Sequence, residues 1–99
     1  MSHMLIIRPE AEEELQKAFA WYEARVSGLG SEFLLCVDAA FSAVLRNPLQ
    51  FPQVHRNIRR ILTRRFPYEI FFIIDEQRII VLAVFHAKRN PKLWKERTN

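Results

Sequence analysis

A run of seven uncharged residues near the C-terminal end, Ile79–Phe85, constrains the fold most strongly. A second run rich in aromatic and β-branched residues, Tyr68–Ile74, precedes it, and the polar segment Asp75–Gln77 separates the two. Such runs predict two β-strands joined by a short turn. A strand that is apolar on both faces lies inside a sheet covered on both sides, or along a partner's surface. We therefore expect Ile79–Phe85 to be a central strand.

Two amphipathic helices are predicted before these strands. Pro9 suits the first position of a helix, and Glu10–Glu14 bring negative charge to the first turn, where the helix dipole favours it. The first helix is expected to end near Ser27-Gly28, and the second to run from an N-cap at Ser31 to Asn47-Pro48. Two helices joined by so few residues form an antiparallel hairpin.

The remaining segments complete an α+β domain. We expect a short strand at Met4–Arg8, a loop at Pro48–His55, a further strand at Asn57–Thr63 and a last short helix that opens at Asn90-Pro91 and carries Trp94. The predicted order is β-α-α-β-β-β(-α), with the helix hairpin packed on a small, largely antiparallel twisted sheet.

Both faces of the predicted strand Tyr68–Ile74 are apolar. Phe71 and Ile73 alternate along it with an apolar set that points to the opposite face. One helix hairpin covers only one face of a sheet. The surplus therefore predicts an apolar surface that a partner chain covers.

Composition and length indicate one folded domain over residues 1–99, with 49% hydrophobic residues. Met1–His3 has the character of a vector-derived remnant and is set aside. No apolar run approaches the ~20 residues of a membrane span, and no signal peptide is visible. The single cysteine, Cys36, cannot form an internal disulfide, which favours a reducing compartment. We expect a cytoplasmic protein without a membrane partner.

Charge is distributed unevenly between the two halves. Residues 1–54 contain four Lys and Arg against seven Asp and Glu, whereas residues 55–99 contain eleven against four. The C-terminal half therefore predicts a cationic surface that suits phosphates or an acidic protein partner. A solvated basic face that only aids solubility is the alternative.

Seven cationic or titratable residues form the main candidate site. They are Arg59, Arg60, Arg64, Arg65, His86, Lys88 and Arg89. Antiparallel pairing is expected to bring several of them to one side of the sheet. Guanidinium and ammonium groups bind phosphates and stabilise the negative charge that develops when phosphate is attacked, and an imidazole exchanges protons near neutral pH. The alternative is that the arginines protect an edge strand and His86 caps a strand.

Other chemistry receives little support. The histidines and the cysteine lack metal-ligand spacing, and the chain contains no Gly-rich phosphate loop, so no metal or cofactor is expected. Ser27, Ser31 and Ser42 lack the context of a nucleophile. Cys36 is expected to be a small buried hydrophobe. Glu10–Glu14 is first a helix N-terminus, and an acid/base role there is the second interpretation.

The order of several motifs resembles the RelE/ParE family of bacterial toxins. The segments that carry the resemblance are Ile6–Leu15, Arg59-Arg60, Arg64–Tyr68, Val81–His86, and Lys88–Pro91 followed by Trp94 and Arg97. The resemblance covers nearly the whole chain from Met4. It implies a small basic toxin of a type II toxin-antitoxin module, neutralised by an antitoxin whose acidic or amphipathic C-terminal segment wraps around it. A toxin dimer, a heterotetramer or a higher complex with antitoxin is compatible with it.

Two mechanisms are implied by the resemblance. RelE-like members cleave mRNA on the ribosome without a metal, using the RNA 2′-hydroxyl as nucleophile, whereas ParE-like members inhibit DNA gyrase. Nuclease members carry an arginine directly after the residue that opens the third strand, and here that position is Glu69. A carboxylate cannot stabilise a phosphorane and repels RNA. Lys88 and Arg89 match the family's basic pair, but Trp94 cannot transfer a proton.

The resemblance therefore favours a ParE-like gyrase inhibitor. Its expected target- or antitoxin-binding residues are Arg59, Arg60, Arg64, Arg65, His86, Lys88, Arg89 and Trp94. The alternative is a ribosome-dependent endoribonuclease whose catalytic residues are Arg60, Arg65, His86, Lys88 and Arg89. A third possibility is a chain that has lost toxicity and only binds its antitoxin.

Overall fold

The computed structural model describes residues 3–98, so Met1 and Ser2 of the set-aside remnant lie outside the described residues. Within residues 3–98, five strands and three α-helices follow one another. They are β1 (Met4–Ile7), α1 (Pro9–Arg25), α2 (Leu29–Arg46), β2 (Gln53–His55), β3 (Ile58–Leu62), β4 (Tyr68–Asp75), β5 (Arg78–His86) and α3 (Lys92–Lys95), with 3₁₀ turns at Pro48–Gln50 and Glu96–Thr98.

The five strands form one sheet in the order β1-β5-β4-β3-β2. β1 pairs in parallel with β5, and the other neighbouring strands are antiparallel. The helix hairpin packs on one face of the sheet, which we call the helix face; the opposite face is the far face. The predicted α+β fold, with a largely antiparallel sheet, is confirmed.

The loop between the helices differs from the prediction. The second helix begins at Leu29 after Gly28, whose φ of 88° lies in the left-handed region that glycine tolerates, so Ser31 is not the N-cap. The carboxylate of Glu23 in α1 instead accepts the N–H groups of Gly28 at 2.8 Å and Gly30 at 3.0 Å. A side chain of the first helix thereby supplies acceptors for the start of the second.

The predicted loop Pro48–His55 contains the short edge strand β2. Gln53 pairs with Arg59, and the guanidinium of Arg59 donates to the carbonyl oxygen of Phe51 at 2.6 Å. This side-chain bond holds the segment against β3, and a sequence pattern does not reveal it.

A β-bulge divides the apolar residues of β5 between the two faces. Phe71 pairs with Ala83 while the next residue, Phe72, pairs with Val81, so Leu82 is the extra residue. Leu82 and Ala83 consequently both join the far-face cluster. Without the bulge, strict alternation would place one of them on the helix face.

Each face of the sheet has its own apolar core. Phe33, Val37, Ile70, Phe72 and Val81 are among the buried residues of the helix-face core. The far-face core consists of Ile58, Phe71, Leu82, Ala83, Phe85 and Trp94. The Trp94 ring stacks on Phe71 with ring centroids 3.9 Å apart and is 6% exposed. The prediction that a partner chain must cover this face is therefore wrong at its centre, because α3 of the same chain covers it.

No helix within the described part of the chain is long and apolar enough to cross a membrane.

Replacement of Trp94 by alanine should lower the free energy of unfolding by about 3 kcal/mol or more, because it leaves a cavity over Phe71. Urea denaturation followed by far-UV circular dichroism measures the change. Leu93→Ala is the matched control, since Leu93 is 44% exposed on the same helix, and it should shift stability by less than about 1 kcal/mol. Equal losses in the two variants would contradict the packing role of Trp94.

Candidate functional site

The predicted cationic cluster is divided into two regions. Arg60 and Arg65 line a groove beside β3, whereas His86 and Arg89 line a depression beside α1. Strand β4 lies between β3 and β5, which separates the two regions across the sheet. The expectation that several of these residues meet on one side therefore holds for Arg60, Arg64 and Arg65 at the groove but not for His86 and Arg89.

The larger cavity is a groove of about 810 Å³ between α2 and the outer edge of β3. Ala39, Ala40, Ala43 and Ile61 contribute apolar lining, and the partly buried Cys36 also lines the groove. Two leucines at this groove, Leu35 and Leu62, are exposed by 68% and 60%. Exposed large apolar residues beside an apolar concavity are typical of an interaction surface.

Arginines surround the groove, but only some are paired. Arg65 contacts Glu32 at 2.7 Å, and Arg60 contacts Glu69 at 3.4 Å. Arg46 and Arg64 also line the groove, and neither has a carboxylate partner within residues 3–98. Because a helix rises about 1.5 Å per residue, Glu32 and Arg46 stand roughly 20 Å apart along the groove. Unpaired positive charge therefore lies near both of its ends.

The edge of β3 is partly open. Ile61 pairs with Ile70, and the N–H of Thr63 donates to Tyr68, so the backbone groups of Leu62 point away from β4. The register of β2 reaches only Arg59, and the N–H of Arg60 donates to Pro52. Within the described residues, no strand covers Leu62. This stretch offers ladder groups to an added strand.

Beside β5, away from the groove, Glu14 of α1 is the centre of an ionic network. Its carboxylate accepts from the N–H of Val84 at 3.0 Å, from Arg89 at 3.1 Å and from Arg97 at 2.9 and 3.0 Å. Arg97 also donates to the carbonyl oxygen of Leu82 at 3.0 Å. The two guanidinium groups lie 3.8 Å (Arg89) and 5.0 Å (Arg97) from the ring centre of Phe85.

This network was missed by sequence reasoning. The sequence indicates only a helix N-terminus at Glu14, and Arg97 is singled out only by the family resemblance. One feature of the sequence does point to the network: the segment that forms β1 is short, so β1 cannot pair with β5 beyond Val81. Buried backbone groups past that point need other partners, and the side chains of Glu14, 70 positions before Val84, and Arg97, 15 positions after Leu82, supply them.

The depression beside α1 has a volume of about 260 Å³. Trp21, Tyr68 and His86 contribute aromatic rings to its lining, and Lys17 and Arg89 contribute charge. The rings of Tyr68 and His86 meet edge to face at 5.4 Å, and Nδ1 of His86 accepts the N–H of Lys88 at 3.1 Å. Burial, followed by the nearby Tyr22, raises the pKa of Tyr68.

The other predicted residues occupy three different environments. Arg59 holds the Phe51 carbonyl, Trp94 belongs to the far-face core, and Lys88 is exposed after β5. The structure therefore leaves Arg64 and Lys88 accessible to a partner and gives Arg59 and Trp94 structural contacts. No group of His, Cys, Asp and Glu side chains among the described residues is arranged to hold a metal ion.

Comparison with known proteins identifies the family. The family model described as "ParE toxin of type II toxin-antitoxin system, parDE" matches residues 5–91. The chain belongs to the ParE toxin family. Toxin ParE2 of Mycobacterium tuberculosis, in strains CDC 1551 / Oshkosh and H37Rv, is 28% identical over 92 residues, covering 92% of this chain and 88% of that protein. Membership in the ParE family makes this chain a toxin with an antitoxin partner.

Solved structures share the ParE-family fold. The chromosomal ParDE toxin-antitoxin system from P. aeruginosa matches with a TM-score of 0.73 at 14% identity, covering 86% of this chain and 96% of that chain. A mutant of E. coli toxin RelE in the free state matches with a TM-score of 0.67 at 19% identity, covering 98% and 95%. Both likenesses concern the fold alone.

Substitution of Glu14 by glutamine should lower the free energy of unfolding by about 1.5–3 kcal/mol, because it removes charge-assisted hydrogen bonds from two arginines. Chemical denaturation measures the loss. The control is Glu13→Gln, whose exposed pair with Lys17 should contribute less than about 0.5 kcal/mol. The double variant Glu14→Gln/Arg97→Gln should lose less than the sum of the single losses, and strict additivity would refute the network.

Proposed function

We propose that this chain is a ParE-like toxin that inhibits DNA gyrase in the cytoplasm and is not a nuclease. The observation that carries the proposal is the contact between Glu69 and Arg60, 3.4 Å apart on the far face. Glu69 occupies the position where, by the family resemblance, nuclease members carry an arginine. A carboxylate there neutralises its neighbour and opposes the negative charge of RNA.

The second argument is that the other candidate catalytic arginines already contact carboxylates. Arg89 is paired with Glu14, and Arg65 is paired with Glu32. Guanidinium groups that already carry a carboxylate have less capacity to stabilise a developing phosphorane. His86 and Lys88 remain as the residues with which a nuclease mechanism would have to operate.

Induction of the toxin in cells without antitoxin should produce double-strand breaks and an SOS response while transcripts stay intact. The purified chain should inhibit supercoiling by gyrase. Breaks and transcript ends are measured side by side, in cells and in a translating extract. Transcript cleavage that is abolished by His86→Ala/Arg89→Ala would overturn the proposal in favour of the endoribonuclease. Unimpaired growth on induction would overturn it in favour of a chain that has lost toxicity.

We further propose that the antitoxin docks in the groove between α2 and β3. An extended antitoxin segment would pair with β3 at Leu62 and place alternate apolar side chains near Leu35. Its carboxylates would meet Arg46 and Arg64, the two unpaired cations at the ends of the groove. A span of roughly 20 Å accommodates about six extended residues.

Introduction of charge into the groove should break neutralisation and leave toxicity intact. Leu35→Glu is expected to abolish rescue by the co-expressed antitoxin, because it brings a carboxylate into the apolar lining. The matched control is Leu49→Glu, since Leu49 is also 68% exposed but lies outside the groove. Growth assays with and without antitoxin, supported by pull-down of the complex, measure both properties. Full rescue of the Leu35 variant would place the antitoxin elsewhere.

A further inference from the structure

The outer side of β1 is an uncovered edge of the sheet. β1 stands at one end of the strand order and pairs in parallel with β5 on its inner side. The N–H groups of Met4 and Arg8 donate toward β5, so the backbone groups of the alternate residues Leu5 and Ile7 point away from the sheet. Within residues 3–98, no hydrogen bond reaches these outward groups.

β1 also lacks the features that usually keep an edge strand from pairing. Its four residues, Met4–Ile7, are all apolar and include no lysine, no proline and no bulge. The opposite edge strand, β2, is by contrast three residues long and irregular. A regular apolar edge is a template for an added strand.

We propose that two copies of this chain associate through β1, in antiparallel register, to form one sheet that continues across both copies. The inference goes beyond gyrase inhibition and does not rest on it.

The outward backbone groups determine the register. Leu5 of one copy faces Ile7 of the other and exchanges both ladder bonds with it, because this arrangement pairs both free residues of each β1. Ile6 then faces Ile6 of the second copy across a two-fold axis, at the closer spacing of a non-hydrogen-bonded pair. Ile6 lies on the far face beside Ile80, so this contact joins the apolar far faces of the two copies.

The charges at the two ends of β1 complement each other in this register. Arg8 follows one end, and Glu76 lies near the other end in the turn beside Met4. Neither Arg8 nor Glu76 has an ion-pair partner within residues 3–98. Antiparallel pairing brings Arg8 of each copy opposite Met4 of the other, where its guanidinium reaches Glu76 across strands about 4.8 Å apart. A second copy therefore supplies a partner for both unpaired charges, which favours it over an unrelated strand.

The helix hairpin leaves the edge of β1 accessible. α1 packs chiefly on β5 and α2 on β3, so neither helix lies mainly over β1. The groove between α2 and β3 lies toward the other edge of the sheet. Two chains joined at β1 can therefore each hold an antitoxin segment in that groove.

Disulfide trapping tests the register directly. In a Cys36→Ser background, Ile6→Cys should give a covalent dimer on a non-reducing gel after mild oxidation, since Cα atoms about 4.5 Å apart suit a disulfide. The matched control is Met4→Cys, on the same face of β1 and 63% exposed. The two Met4 positions of the dimer lie roughly 13 Å apart, so this variant should stay monomeric although it is the more accessible thiol.

Sedimentation velocity of the full chain, over about 1 to 100 µM, measures the association itself, because a small interface predicts a weak dimer. Arg8→Glu and Glu76→Lys should each raise the dissociation constant about fivefold or more, since the two-fold axis applies each change twice. The double variant Arg8→Glu/Glu76→Lys should restore the dissociation constant of the unmodified chain. Both changes lie outside the two apolar cores, and circular dichroism verifies that the variants are folded.

Three results would each overturn the proposal. They are a chain that stays monomeric over the whole concentration series, losses that add up in the double charge variant, and trapping of Met4→Cys as fast as Ile6→Cys. None of these results depends on the supercoiling assay.

Discussion

β5 is buried, so both of its faces must be covered and both rows of its backbone hydrogen-bonding groups need partners. An unpaired buried N–H or C=O group costs as much free energy as a lost hydrogen bond. β4 pairs along one edge, and β1 pairs along the first part of the other. Beyond Val81, side chains complete that edge: Glu14 accepts the N–H of Val84, and Arg97 donates to Leu82. The first helix and the last 3₁₀ turn meet here for this reason.

The faces of β5 explain the positions of the helices. The helix hairpin covers one face, and the bulge at Leu82 directs two consecutive residues to the other. A single aromatic side chain, Trp94, covers the centre of that far face and is held by the short helix α3. Arg97, in the 3₁₀ turn that follows α3, donates to Glu14 in the network beside β5. The position of α3 and the edge of β5 therefore stabilise each other.

The ionic pairs divide the arginines into structural and available ones. Arg60, Arg65, Arg89 and Arg97 each contact a carboxylate, and the carboxylates come from α1, α2 and β4. The excess positive charge of the C-terminal half is therefore partly neutralised by the acidic N-terminal half. Among the arginines that line the groove, Arg46 and Arg64 have no carboxylate partner within residues 3–98, and they flank an apolar lining. This arrangement suits a segment that is acidic at its ends and apolar between them.

The sequence by itself determined the helix hairpin, the three strands β3–β5 and the interior position of Ile79–Phe85 in the sheet, because hydrophobic periodicity and turn residues act over short distances. Only the tertiary structure decided which cations meet. The position of β4 separates Arg60 from Arg89, and the bulge at Leu82 changes which β5 residues face each core. The partnership of Glu14 with Arg97 joins residues 83 positions apart, and no local pattern specifies such a contact.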